Sequence, residues 1–238
     1  MIRYTSTISL PNLQLYFYRE IAKEYLLVAG GRSPADTWLK MSAIGRTVFC
    51  IDRGADACYA AKIVPSLFIG DGDSANAKTL AWLHSLHIKT MLYPPEKDKT
   101  DTQLALDLFA GNKEDFVILT GGFGGRFDHL FSLLYAFAGS NLNGCIADER
   151  EFLVILHDNE CIELELDAVP SSISLLPLSP ECTGVNLSGV YWPLSGATLR
   201  QNNPYAISNR LATSEHRITV ANGSGTLAFY LCWNESGS

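Results

Sequence analysis

Three things are scarce in this sequence, and each scarcity excludes something. Positive charge is in deficit, with 18 Lys plus Arg against 25 Asp plus Glu and a net charge of -7. That balance does not favour the counterion release that holds proteins on nucleic acid, so no nucleic-acid partner is expected. No apolar run approaches the ~18 residues of a membrane span, so no membrane partner is expected either. The six cysteines, Cys50, Cys58, Cys145, Cys161, Cys182 and Cys232, include no C-x-x-C pair. Residues 1–20 show neither a basic opening nor a continuous apolar stretch of the secretory kind. The thiols therefore read as reduced, and the expected location is cytoplasmic.

Two nucleotide fingerprints are also missing. No G-x-x-x-x-G-K-[ST] occurs. The glycine-rich stretch 121–125 fails G-x-G-x-x-G because Phe127 stands where the third glycine would fall. What is present is the composition of a folded protein: 238 residues with 47% hydrophobic and 18% charged. A chain of this size can bury about 70% of its unfolded surface.

From residue 25 onward, short apolar runs alternate with segments of helical spacing. Strands are expected at 25–29, 47–51, 67–70, 88–92, 116–120 and 145–147, with helices at 36–44, 55–62, 76–86, 101–110 and 127–138. Right-handed crossovers make this an α/β domain with a mainly parallel sheet, spanning 1–148. Beyond it the helical spacing stops. Ile162, Leu164 and Leu166 alternate with Glu163 and Glu165, and short runs recur at 173–177, 205–208, 217–220 and 226–232. Residues 149–238 therefore read as an all-β sandwich.

In parallel sheets, ligands gather at the carboxyl ends of strands, and that is where this sequence puts its aspartates. They are Asp52, Asp71 and Asp73 in Gly70-Asp71-Gly72-Asp73-Ser74, Asp98 and Asp101, and Asp128. A G-D-G-D turn on its own is equally a solvated turn, and Thr100 with Gln103 is equally a plain capping box. The combination carries more weight. Like charges ~5 Å apart repel by about 3 kcal/mol per pair at an effective dielectric of ~20, so folding stability alone does not select for such a cluster. Magnesium relieves the repulsion and takes a few carboxylates together with phosphate oxygens, the ligand set of a nucleoside triphosphate site. Lys97, Lys99 and Arg126 are candidates for compensating charge, whereas His129, on an apolar helix, reads as structural. The residues alone leave open a phosphotransferase or phosphatase with Asp71 or Asp73 as nucleophile, and a binding module without activity.

Several stretches in this order resemble the thiamine pyrophosphokinase family. They are Asp52-Arg53-Gly54-Ala55-Asp56, Gly70 to Ser74, Pro95 to Asp101, Gly124 to His129, Cys182-Thr183-Gly184-Val185 and Ile207-Ser208-Asn209. The resemblance implies a nucleotide domain followed by a thiamine-binding sandwich, in a homodimer with thiamine sites between subunits. It implies Mg2+ and ATP, with Asp71, Asp73 and Asp101 as metal-binding or catalytic acids and Asp98 beside them as a candidate base. Asp52, Arg53, Gly54, Lys97, Thr100 and Arg126 would lie along the nucleotide, and Asp128, Ser208 and Asn209 would face thiamine. This sequence departs from the family pattern at Arg53, where a second glycine is typical, and at Asp56, where asparagine is typical.

Overall fold

The structure is a computed structural model that describes residues 4–72, 75–93, 98–212 and 216–233. The chain opens with the hairpin β1 (Ser6–Leu10) and β2 (Leu13–Phe17) and then enters a strict alternation. This runs β3 (Lys23–Val28), α1 (Asp36–Ala43), β4 (Thr47–Ile51), α2 (Gly54–Ala61), β5 (Leu67–Gly70), α3 (Ala77–Ser85), β6 (Lys89–Leu92), α4 (Asp101–Asp107), β7 (Asp115–Thr120), α5 (Phe127–Gly139) and β8 (Asn143–Ala147). Only strands follow: β9 (Glu151–Leu156), β10 (Glu160–Leu166), β11 (Ser172–Pro177), β12 (Glu181–Ser188), β13 (Leu194–Arg200), β14 (Arg217–Asn222) and β15 (Leu227–Cys232).

The chain divides into two compact units, Ala22–Asp148 and a second made of Met1–Ile21 with Glu149–Ser238. The first is the α/β unit. Its strands lie in the order β8-β7-β3-β4-β5-β6 and every neighbouring pair is parallel. All six residues of β7 and all five of β8 are buried, as continuous apolar strands covered on both faces must be. β6, at the edge, is mostly exposed. After β3 the chain builds outward through β4, β5 and β6, then returns to place β7 on the other side of β3. That reversal opens a crevice between the carboxyl ends of β3 and β7, the place where sheets of this kind bind ligands.

The second unit is all β. Its strands form one antiparallel set in the order β1-β2-β10-β14-β12-β13 and another of β11, β15 and β9. In β10 the expected alternation holds, with Ile162, Leu164 and Leu166 buried and the glutamates between them outward.

The expectation of one N-terminal domain over 1–148 needs correcting at its start. β2 pairs antiparallel with β10, Leu15 opposite Leu164 and Phe17 opposite Ile162, so the first hairpin belongs with the strands that follow residue 148. Tyr16 and Tyr18 strengthen that seam by donating their hydroxyls to Glu165 and Glu163. The expected strand at 205–208 is also absent. Pro204 has no amide proton to donate, and Ser208 sits at φ 58°, so the segment forms no regular ladder and meets β11 through the Asn209–Ile173 bridge, the bond from Leu175 N–H to Ala206 O and the bond from Ser208 N–H to Ser174 Oγ.

All six cysteines are free thiols. Burial pushes the Cys145 thiol well up, which leaves it a core hydrophobe without nucleophilic character.

Candidate active site

A cavity of about 600 Å³ lies at the carboxyl ends of β3, β4 and β7 in the α/β unit. Its walls are the segments after those strands, Ala29 to Gly31, Asp52 with Arg53, and Gly121 to Arg126, closed by the first turns of α4 and α5. The β3 and β7 loops are tied together, since Gly31 N–H donates to Gly121 O and Arg32 N–H to Phe123 O, both at 2.8 Å. Behind them the Arg32 guanidinium donates to Asp148 Oδ2 at 2.6 and 2.9 Å, and the Asp148 side chain is completely buried.

Asp52 ends β4 at φ 49°, a left-handed conformation that aspartate tolerates better than most residues. Its N–H donates to Ile69 O on β5 at 2.9 Å. Gly70 makes room for it, because a Cβ there would come within 2.2 Å of Asp52 Oδ1. Arg53 begins α2 at φ -61°, a conformation open to any residue, so the backbone makes no demand for the glycine that resemblance leads one to expect. The space for its Cβ comes from Gly30, where an added Cβ would meet Arg53 Cβ at 2.9 Å.

Thr100 caps α4 as the sequence predicts. Its Oγ1 accepts from Gln103 N–H at 3.2 Å, and Gln103 Oε1 accepts from Thr100 N–H at 2.8 Å. Thr100, Thr102 and Gln103 face the cavity; Asp101, in the same turn, is half-buried and outside its lining, and Asp98 is exposed. Lys99 pairs with Asp107 at 2.6 Å. Asp71 follows β5 directly and is half-buried, again outside the lining. Asp73 and Lys97 lie outside the described residues.

On the rim, the Arg126 guanidinium donates to both oxygens of Asp128, at 3.0 and 2.5 Å. That contact holds the Asp128 carboxyl below its usual range and raises the Arg126 guanidinium. The pair contributes fully above the ordinary carboxylate pKa and is lost as pH falls through the lowered one. In Arg126→Met, Asp128 is therefore expected to titrate at higher pH than in the native protein, as followed by carboxyl NMR shifts. An unchanged Asp128 titration would show that the pair does not persist in solution.

In the β unit, the sequence candidates Ser208 and Asn209 sit beside a feature that the sequence reading missed. Tyr191 and Trp192 are about half exposed, packed edge to face at 4.8 Å, with the Arg210 guanidinium 4.1 Å above the Tyr191 ring. Asn209 holds them there. Its Oδ1 accepts from Trp192 N–H at 3.2 Å and its Nδ2 donates to Trp192 O at 2.8 Å. The Tyr-Trp-Pro triplet in a Gly-bounded loop was the available signal, since adjacent large aromatics ahead of a proline have no place in an alternating strand.

The donor set suits a hard cation. Asp52 and Asp71 end adjacent parallel strands, with Ile51 in register with Ile69, and offer oxygen only. Among the described residues no three His, Cys, Asp or Glu side chains converge on one point. The described residues alone would thus supply one or two carboxylates to a cation, leaving room in its shell for phosphate oxygen or water, an arrangement that suits magnesium.

Comparison with known proteins agrees with this layout. Residues 40–144 match the family model "Thiamin pyrophosphokinase, catalytic domain" and residues 161–227 match "Thiamin pyrophosphokinase, vitamin B1 binding domain". The chain is 28% identical to the thiamine pyrophosphokinase of Bacillus subtilis over 176 residues, covering 73% of this chain and 82% of that protein. The crystal structure of thiamine pyrophosphokinase from Bacillus subtilis superposes with a TM-score of 0.76 at 25% identity, over 90% of this chain and 100% of the other. For the thiamin pyrophosphokinase of Geobacillus thermodenitrificans the TM-score is 0.73 at 27% identity, over 90% and 99%. The two models fall one on each unit in the family's order and together span most of the sequence, so the chain belongs to the thiamin pyrophosphokinase family of enzymes.

Proposed function

We propose that this enzyme transfers the pyrophosphoryl group of ATP to the hydroxyl of thiamine, with Mg2+, giving thiamine diphosphate and AMP. The observation that carries the reading is the cavity at the β3/β7 reversal, where Asp52, Arg53, Thr100, Arg126 and the glycine-rich loop meet within the unit that matches the family's catalytic domain. The thiamine oxygen attacks the β-phosphorus, the bond to the bridging oxygen of the α-phosphate breaks, and AMP leaves with that oxygen. Asp98 accepts the hydroxyl proton. Arg53 and Arg126 orient the phosphate chain, and Gly121, Gly122, Gly124 and Gly125, which line the cavity without side chains, let the backbone approach it. Asp71, Asp73 and Asp101 would hold Mg2+, with Asp52 beside them; when bound, the ion neutralises charge on the phosphate oxygens. Most of the rate then comes from positioning and charge neutralisation.

Thiamine has two aromatic rings, and the half-exposed Tyr191 and Trp192 rings can pack against them, with Arg210 already lying over Tyr191. Ser208 supplies a polar contact there, while Asn209 acts by holding Trp192. The homodimer is supported by α5, which buries Phe137 but leaves Phe127, Phe131 and Tyr135 exposed in a ladder with ring spacings of 5.8 and 4.9 Å. No helix among the described residues is long and apolar enough to cross a membrane, and six free thiols fit a reducing cytoplasm.

Purified protein given ATP, magnesium and thiamine is expected to release AMP and thiamine diphosphate in equal amounts, and neither without magnesium. Release of ADP or inorganic phosphate instead would overturn the reading.

A further inference from the structure

Helix α3 begins immediately beyond the acidic turn that follows β5, yet its own N-cap residue, Asn76, makes no side-chain cap. The cap comes from elsewhere. Asp56, in the first turn of α2, accepts from Asn76 N–H at 3.1 Å and from the Thr79 hydroxyl at 2.5 Å, both through Oδ1. Thr79 is 1% exposed, so its hydroxyl is directed to Asp56 from inside the packed α2 and α3 surface. The other end of the same turn is fixed by Tyr93 N–H, which donates to Gly70 O at 3.2 Å. A single carboxylate thus joins the segment after β4, which carries Asp52, to the segment after β5, which carries Asp71.

We infer that Asp56 is a positioning residue: by clamping Asn76 and Thr79 it fixes the start of α3, a few residues beyond Asp71, and so sets the geometry in which Asp71 meets a divalent cation. The inference rests on the function proposed above. It also accounts for Asp56 where the family resemblance leads one to expect asparagine. Either side chain offers an Oδ1 acceptor, and the acceptor is what both partners use. The carboxylate adds a negative charge at a helix N-terminus, where the macrodipole favours it.

The test uses the full chain, metal-free and then titrated with Mn2+, an oxygen-seeking stand-in whose free ion is counted by its EPR signal. In Asp56→Ala the Asn76 amide is expected to exchange hydrogen about 10-fold faster without metal, as loss of a cap allows. The Mn2+ dissociation constant should rise by a similar factor, and turnover should fall with little change in KM for thiamine. Asp56→Asn should hold all three within about twofold of native, because the acceptor remains. Should Asp56→Ala not fold, Thr79→Val, which removes one of the two bonds, decides the matter by a smaller change in the same direction.

Faster exchange with unchanged Mn2+ binding would reduce Asp56 to a helix cap and overturn the inference. So would an Asp56→Asn as defective as Asp56→Ala, or a native protein without a Mn2+ site. A native protein that binds Mn2+ and obeys the exchange pattern but forms no thiamine diphosphate would sink the proposed function and leave the clamp standing.

Discussion

Asp71→Asn is expected to lower turnover by ~10²–10³-fold, the usual consequence of removing one electrostatic element from a transition-state site, while melting temperature and circular dichroism stay native. The substitution keeps shape and volume and removes only charge. Asp71 is half-buried at the end of β5, and Gly72 follows it at φ 81° in a turn that a neutral amide also tolerates. Taking one negative charge from beside Asp52 relieves repulsion, so stability should hold or rise slightly. Asp107→Asn is the companion control. It changes charge equally, but only dissolves the exposed pair with Lys99, and should leave turnover within about twofold of native. A native rate in Asp71→Asn would remove that residue from the chemistry. A loss shared equally by both variants would mean that net charge, and not position, governs the rate.

How much of this could be read from the residues depends on how local each interaction is. The α/β unit was legible because each strand and its helix lie side by side in sequence. An apolar run such as 116–120 followed by helical spacing at 127–138 needs no distant partner to be recognised, and β7 and α5 fall there. The capping box of Thr100 and Gln103 was legible for the same reason, being closed within four residues. The hairpin β1 and β2 was not assigned to its unit because its partner, β10, lies some 150 residues further on, and nothing in 6–17 names it. β12 and β13 escaped because two register shifts, between Cys182 and Val185 and between Val185 and Leu187, break the alternation that marks a strand. In the site, Asp52, Arg53, Thr100, Arg126 and Asp128 come from separate segments to line one cavity, whereas Asp71, Asp98 and Asp101, expected in the same cleft as Asp52, lie outside that lining. The partnership of Asp56 with Asn76 and Thr79 was not foretold, because it crosses between two helices whose packing only the folded chain defines.

Gly54→Ala is expected to damage stability and turnover together, and this separates it from every charge substitution above. A Cβ at position 54 would lie 1.8 Å from Val28 O, 2.5 Å from Val28 C and 3.0 Å from Ala29 N. All three are backbone atoms, so no rotamer change makes room, and α2 must back away from the end of β3. Forcing a buried group into occupied space costs about 3 kcal/mol or more when relief needs backbone movement. For a chain of this size that lowers the melting temperature by roughly 6–12 °C. The helix does not move alone. Arg53 precedes Gly54, Asp52 precedes Arg53, and Asp56 in the first turn carries the clamp on α3, so the same displacement shifts the cavity wall and the acidic turn. Gly139→Ala provides the contrast, since nothing lies within 4 Å of its added Cβ and it sits at the end of α5, where alanine favours the helix by up to ~1 kcal/mol. That variant should melt at or slightly above the native temperature. If Gly54→Ala melts within 2 °C of native, by the scaling of about 2–4 °C per kcal/mol the helix start is not pressed against β3, and the close packing that orders Asp52 and Arg53 around the cavity loses its basis.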